Sequence, residues 1–155
     1  MLTASVSVNP SFRQSLNAGG RIRLTPTEMR LEVSRLIAEN QMVAADTLSR
    51  ELLGNHPAEE EALVTRILVC EVLHRWQEAA THLRQLLDLQ GLRSPAETWY
   101  HYVRVLNCAG DSEAALQACQ GALNLHPGHE GLGHELNRLL GLGEQQGQAS
   151  QEQGV

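Results

Sequence analysis

The 155-residue sequence contains no lysine, few aromatic residues and no long apolar run. Its twelve basic residues are all arginine and stand against eighteen Asp and Glu, which gives a net charge of −6. Nucleic-acid binding needs a clustered basic face, so this composition argues against that function. No stretch reaches the roughly eighteen apolar residues of a membrane span. Because aromatic residues make up only 3% of the chain, the core must be aliphatic, which favours helices.

The cysteine content is low and odd in number. Cys70, Cys108 and Cys119 lie inside helical patterns, which predicts reduced, buried, small hydrophobic residues rather than disulfides. The N-terminal MLTASVSVNPSF lacks the basic region and apolar stretch of a signal peptide. These features together predict a cytoplasmic protein.

The middle of the chain repeats. Three alanines share one register position, and the residues four, seven and eight positions after each of them trace one helix face. These alanines are Ala45, Ala79 and Ala115, with spacings of 34 and 36 residues. Five positions before them stand Asn40, His74 and Gly110. Gly and Asn tolerate the left-handed turn that ends a helix, so each alanine follows a predicted turn.

The segment before each turn carries its own helical stripe, with apolar residues at i, i+4 and i+7. The repeating unit is therefore helix, tight turn, helix, and the three units span residues 26–59, 60–95 and 96–129. A fixed period of this length is typical of a solenoid. The sequence thus predicts an all-α solenoid of three antiparallel helix pairs, in which small residues such as Ala79 and Ala115 allow the paired helices to approach closely.

The flanks differ from the repeats. Residues 1–25 have no sustained period and are predicted to be a flexible N-terminal arm. Residues 130–142 predict an amphipathic capping helix, with its leucines on one side and Glu135 and Arg138 pointing elsewhere. Residues 143–155 are polar and of low complexity, which predicts a disordered tail.

The third unit, AETWYHYVRVLNCAGDSEAALQACQGALNLHPGH, resembles a tetratricopeptide repeat (TPR) over all 34 residues. Its residues at the signature positions of that motif are Trp99, Gly110, Ala115, Ala122 and Pro127. The second unit keeps Trp76, Ala79, Leu83 and Leu87, with His74 where Gly is usual. The first keeps Asn40, Ala45 and Pro57. The resemblance implies a TPR solenoid whose function is binding.

In TPR proteins the first helix of each unit lines a concave groove. The resemblance therefore implies that the partner-binding groove contains Arg30, Leu31, Ser34, Val64, Leu68, Tyr100, His101 and Arg104. The same argument adds Thr27, Ile37 and Ala38 from the first unit, Thr65, Glu71 and Val72 from the second, and Glu97, Asn107 and Cys108 from the third. Such a surface suits a partner segment with apolar anchors and an acidic flank. Alternatively, several of its apolar residues pack between units or lie under the N-terminal arm.

One TPR subgroup grips a C-terminal carboxylate, and the sequence departs from its pattern. Ser34 and Thr65 stand where that subgroup has Asn, and Glu97 and His101 stand where it has Lys and Arg. Carboxylate capture of that kind is therefore not expected.

The sequence predicts a protein–protein interaction module that acts as an adaptor or scaffold. Its size, charge and architecture are also similar to those of bacterial type III secretion chaperones, so a cytoplasmic secretion chaperone is the alternative. His126, His129 and His134 raise a third hypothesis, a metal-binding or hydrolytic protein, but His56-Pro57 ends the first unit in the same way and no catalytic motif is present. No enzyme activity, cofactor or metal is expected, and self-association into a homodimer stays open.

Overall fold

The structure is a computed structural model that describes residues 24–153, with side chains described for residues 24–141. The described residues form two compact units, 24–74 and 75–153, which do not coincide with the three sequence repeats. In the structure, the first unit is residues 24–74 and the second unit is residues 75–153. They contain seven α-helices, one short 3-10 helix and no β-strand. The all-α prediction is confirmed, whereas the predicted N-terminal arm lies outside the described residues except for Leu24 and Thr25.

The first unit consists of α1 (Pro26–Ala38), α2 (Met42–Asn55) and α3 (Glu60–Val72). α1 begins with a proline, and the Thr25 hydroxyl accepts a hydrogen bond from the Glu28 amide at 3.1 Å, which caps the helix. Successive helices pack against each other, and α1 also contacts α3. Because the short connections reverse the chain twice, α1 and α3 run parallel.

The core of the first unit is aliphatic, as its composition requires. Ala45 is fully buried on α2 and lets α2 approach its neighbours closely. The buried residues of this core are Met29, Val33, Leu36, Ala45, Leu48, Leu52, Ala62 and Val69.

A charged residue is also buried in this unit. Arg66 of α3 is 1% exposed, and its guanidinium lies 2.6 Å from the Asp46 carboxylate and donates to the Ser49 hydroxyl at 2.9 Å. Burying a cation is costly unless it is paired and hydrogen-bonded, and α2 supplies both partners.

The second unit consists of α4 (Trp76–Gln90), a 3-10 helix (Gly91–Arg93), α5 (Ala96–Cys108), α6 (Ser112–Leu125) and α7 (Glu130–Gln153). Successive α-helices pack together, and α5 also contacts α7. The parallel pair α5 and α7 therefore repeats the arrangement of α1 and α3. Asp111 caps α6 by accepting a hydrogen bond from the Ala114 amide at 3.1 Å.

The predicted turns form as expected. Asn40, His74 and Gly110 all have positive φ, at 59°, 58° and 81°. Such angles are rare outside glycine, and Asn and His are among the residues that tolerate them best. The register read from the three alanines is therefore confirmed at the level of the backbone.

α7 runs from Glu130 to Gln153, past residue 142, where the capping helix is predicted to end. The disordered tail at residues 143–155 stays a prediction. One prediction requires correction. Cys70 and Cys119 are buried as predicted, whereas Cys108 is exposed because it ends α5 on the side away from the core.

Candidate functional site

The α1–α3 pair is joined near the N-terminal ends of both helices. The Thr27 hydroxyl donates to Glu61 Oε2 at 2.7 Å, and Arg30 Nε donates to Glu61 Oε1 at 2.7 Å. The hydrogen bond from Thr27, and then that from Arg30, lowers the pKa of the Glu61 carboxyl below its usual value. Glu61 is therefore a carboxylate at neutral pH and links the two parallel helices.

Beyond this link the pair exposes large apolar side chains. Val64, Leu68 and Val72 are spaced by four residues, so they form one stripe along α3. Leu31 lies one turn after Thr27 on α1, on the side that faces α3. Their exposed fractions are 55% for Leu31, 47% for Val64, 40% for Leu68 and 41% for Val72. We call these four residues the α1–α3 apolar face.

The α5–α7 pair is also joined at its N-terminal end. His129 Nδ1 accepts a hydrogen bond from the Leu132 amide at 3.1 Å, so the proton of the neutral ring is on Nε2, which lies 3.0 Å from Glu97 Oε1. The His129 ring also packs against Tyr100, with 5.8 Å between the ring centroids. The same side chain thus caps α7 and fixes it against α5.

Further along, the α5–α7 pair forms an open pocket of about 440 Å³. Asn107 donates to Glu135 Oε1 at 3.0 Å, which joins the two helices beside the pocket. The residues that line it are Tyr100, Arg104, Asn107, Cys108, Glu135 and Arg138. We call it the α5–α7 pocket.

Glu135 is the charged centre of the pocket. Arg138 donates to both of its oxygens, at 3.1 Å from Nε and 2.8 Å from Nη2. This hydrogen bonding from Arg138, followed by the charges of Arg138 and Arg104 and the amide of Asn107, lowers the Glu135 pKa, and the same pairing raises the Arg138 pKa. Glu135 is therefore ionised and already satisfied by its own neighbours.

Arg104 is placed differently. Its guanidinium carbon lies 5.8 Å from the centre of the Tyr100 ring, a cation–π arrangement. Among the residues with described side chains, no carboxylate lies within salt-bridge distance of Arg104. The pocket therefore combines a satisfied carboxylate with an exposed arginine that is oriented by an aromatic ring.

The predicted groove residues divide between these two surfaces. Leu31, Val64 and Leu68 belong to the α1–α3 apolar face, with Arg30 beside it and Ser34 half-buried on α1. Tyr100 and Arg104 line the α5–α7 pocket, whereas His101 is half-buried on α5 and does not line it.

For one residue of the longer list, the predicted position in the groove is wrong. Thr65 is 1% exposed, and its hydroxyl donates to the Glu61 carbonyl at 2.7 Å, one turn back along the same helix. The resemblance to TPR proteins placed Thr65 in the groove, but this local hydrogen bond allows its hydroxyl to be buried.

Glu135 and Arg138 were not predicted as site residues and were assigned only to the side of the capping helix away from its leucines. α7 stands beside α5 as the first helix of a fourth unit would, so its polar side belongs to the pocket. The i, i+3 spacing of this charged pair was the signal that could have found it.

No protein-family model and no curated protein matches this sequence. Many solved structures share its fold. A tetratricopeptide repeat protein from Parabacteroides merdae is similar with a TM-score of 0.68 and 14% identity, over 84% of this chain and 51% of that chain. YrrB, described as a TPR protein with an unusual peptide-binding site, gives 0.61 and 16% identity, over 83% of this chain and 64% of that chain.

The first TPR domain of Spaghetti (RPAP3), bound to the HSP90 peptide SRMEEVD, gives a TM-score of 0.61 and 13% identity, over 76% of this chain and 91% of that chain. These likenesses establish the class of fold, which is all-α and of the TPR type, as the repeats predict. None of the helices formed by residues 24–153 has the length and apolar character needed to cross a bilayer.

Proposed function

We propose that this protein is an interaction module that binds a segment of a partner protein through the exposed sides of its parallel helix pairs. The observation that carries the proposal is the α5–α7 pocket, where Arg104 is exposed and acts on Glu135 through its charge, without a salt bridge or hydrogen bond to any carboxylate among the described side chains. Two proteins of the same fold are described as peptide-binding, YrrB and the RPAP3 domain. This precedent supports a peptide as the ligand.

The chemistry of the pocket favours an acidic side chain. Arg104 and Arg138 contribute two positive charges and Glu135 one negative charge, so the lining residues carry a net charge of +1. Glu135 receives its hydrogen bonds from Arg138 and Asn107 and interacts with Arg104 only through charge, so we infer that the guanidinium of Arg104 donates hydrogen bonds to a carboxylate of the partner. A volume of about 440 Å³ accommodates one or two side chains of a peptide.

The α1–α3 apolar face supplies a second kind of contact. Its four exposed aliphatic side chains suit apolar anchors on a partner, because burying them removes apolar surface from water. Each surface alone is sufficient for a local contact, the α1–α3 apolar face with apolar side chains and the α5–α7 pocket with an acidic one. A secretion chaperone is one form of such a module, and no feature of the described residues favours it over an adaptor.

Peptide display on the full-length protein tests the proposal. We expect selected peptides to contain either Asp or Glu, which suit the α5–α7 pocket, or apolar residues, which suit the α1–α3 apolar face. The affinity of a selected peptide, measured by fluorescence polarisation, should fall at least about tenfold in Arg104→Glu, equivalent to about 1.4 kcal/mol. Arg93→Glu, a charge reversal at an exposed residue outside the pocket, should leave the affinity unchanged.

A second pair of variants tests the α1–α3 apolar face. Leu68→Asp should weaken binding of a peptide with apolar anchors, whereas Val43→Asp, at an 83% exposed position on α2, should not. If Arg104→Glu and Leu68→Asp both retain full affinity, the assignment of the binding surfaces is wrong.

A further inference from the structure

The α1–α3 apolar face exposes several aliphatic side chains together. Four of them, on two adjacent helices, each keep at least 40% of their surface exposed. The apolar patch of a monomer is often a place where another segment binds. The question is therefore which segment covers it.

The first residues of the chain and the unit that follows them have net charges of opposite sign. Residues 1–23 contain three arginines and no Asp or Glu. Residues 24–74 contain nine Asp and Glu against four Arg, a net charge of −5 with His neutral. Glu28 and Glu60 are exposed in the first turns of α1 and α3, at the edge of the pair that carries the face. Opposite charges attract the N-terminal residues to this unit.

The same N-terminal residues carry apolar side chains. Val6, Val8 and Phe12 stand among small and polar residues, and Phe12 is the only phenylalanine of the chain. An aromatic ring buries a large apolar area at little entropic cost. It is suited to pack against aliphatic side chains such as Leu31 and Leu68.

The covalent connection makes this contact accessible. Phe12 is fourteen residues before Pro26, so the intervening chain reaches at most about 46 Å. The stripe from Val64 to Val72 extends only about 12 Å along α3. A short tether gives an effective concentration of the order of millimolar, so a weak intrinsic affinity is enough for substantial occupancy.

We propose that residues 1–23 bind the α1–α3 apolar face of their own chain. Phe12 and the neighbouring valines contact the aliphatic side chains, and Arg13, Arg21 and Arg23 face the acidic edge of the unit. The bound segment competes with a partner for this face. That consequence rests on the proposed function, whereas the intrachain contact does not.

Photo-cross-linking of the full-length protein tests the contact. Benzoylphenylalanine in place of Leu68 should cross-link to residues 1–23 in a product of monomer mass, identified by mass spectrometry of proteolytic fragments. The same probe in place of Val43, which is exposed on α2 of the same unit, should give at least fivefold less of this product. A variant with Arg13→Glu, Arg21→Glu and Arg23→Glu should also reduce the yield at least fivefold.

Three outcomes would overturn the proposal: no cross-link to residues 1–23, an equal yield from position 43, or a product only of dimer mass, which would identify a second copy as the occupant. Placing the probe at Val64 repeats the test if the Leu68 variant does not fold. The proposed function is judged separately by peptide affinity. Cross-linking without binding of any acidic peptide sensitive to Arg104→Glu would leave the intrachain contact standing and contradict the proposed function, because such a peptide does not use the covered face. Binding of such a peptide without cross-linking would support the proposed function and overturn the intrachain contact.

Discussion

The α1–α3 pair and the α5–α7 pair share one architecture and differ in chemistry. Both are parallel helices joined near their N-terminal ends, by Glu61 in one case and by His129 in the other. Beyond that link, the first pair exposes aliphatic side chains and the second forms an open pocket lined mainly by polar and charged residues. The buried positions fix the repeated backbone, so the exposed positions are free to take different chemistry in each unit.

The same contrast extends into the interior. Ser49 and Cys119 lie four residues after Ala45 and Ala115, and both are buried. Ser49 accepts a hydrogen bond from the buried guanidinium of Arg66, whereas Cys119 donates from Sγ to the Leu132 carbonyl at 3.2 Å. Burial, and then the nearby Glu135 charge, raises the pKa of the Cys119 thiol, which therefore stays neutral. The same register position is therefore occupied by a hydroxyl that binds a buried cation in residues 24–74 and by a neutral thiol in residues 75–153.

The largest expected effect follows from that buried charge. Arg66→Ala should lower the free energy of unfolding by about 3–5 kcal/mol, because it leaves the Ser49 hydroxyl and the Asp46 carboxylate without their shared cation. Urea denaturation followed by circular dichroism measures this change.

Asp46 provides a matched control for that measurement. It also pairs with Arg50 at 3.4 Å, but Arg50 is 59% exposed. Arg50→Ala should therefore cost no more than about 0.5–1 kcal/mol. Similar losses of unfolding free energy in the two variants would show that the burial of Arg66 adds nothing to the stability beyond what an exposed ion pair provides.

These two regions also show which features of the structure can be predicted from the sequence. The apolar period predicted the helices, and the turn residues predicted the reversals, because both are local consequences of residue type. Arg66 was not predicted to be buried, since its partners Asp46 and Ser49 are distant in sequence and only the packing of α2 against α3 brings them together. Glu135 and Arg138 were missed for the same reason. Their place in the site depends on the contact between α5 and α7.

A smaller effect is expected where α7 begins against α5. A Cβ added at Gly131 would lie 3.0 Å from His129 Cε1 and 3.2 Å from Tyr100 Cε2. The His129 ring is held by Glu97 and by the Leu132 amide, so it has little freedom to move. Gly131→Ala should therefore destabilise the protein by about 1 kcal/mol through overpacking, as measured by denaturation.

Gly133 is the control for this crowding. It lies in the same helix with nothing within 4 Å of an added Cβ, so Gly133→Ala should stabilise the protein by about 0.5–1 kcal/mol through helix propensity. Equal stabilisation by both substitutions would mean that the contact between α7 and α5 leaves room for an added methyl group at Gly131.

The smallest effect concerns pH and asks whether both helix pairs weaken in acid. Glu61 and Glu135 have pKa values below the ordinary 4.5, through hydrogen bonds led by Thr27 and by Arg138 respectively. A carboxyl group whose pKa is lowered in the folded state stabilises that state above pH 4.5, and this contribution is lost as the pH falls through the folded pKa. Glu61→Gln and Glu135→Gln should each flatten the decline of unfolding free energy below pH 4.5. Denaturation curves between about pH 3 and pH 6 measure the slopes.

An unchanged slope in Glu135→Gln alone would show that only the α1–α3 link is sensitive to acid. The two helix pairs would then differ in the pH dependence of their stability as well as in surface chemistry.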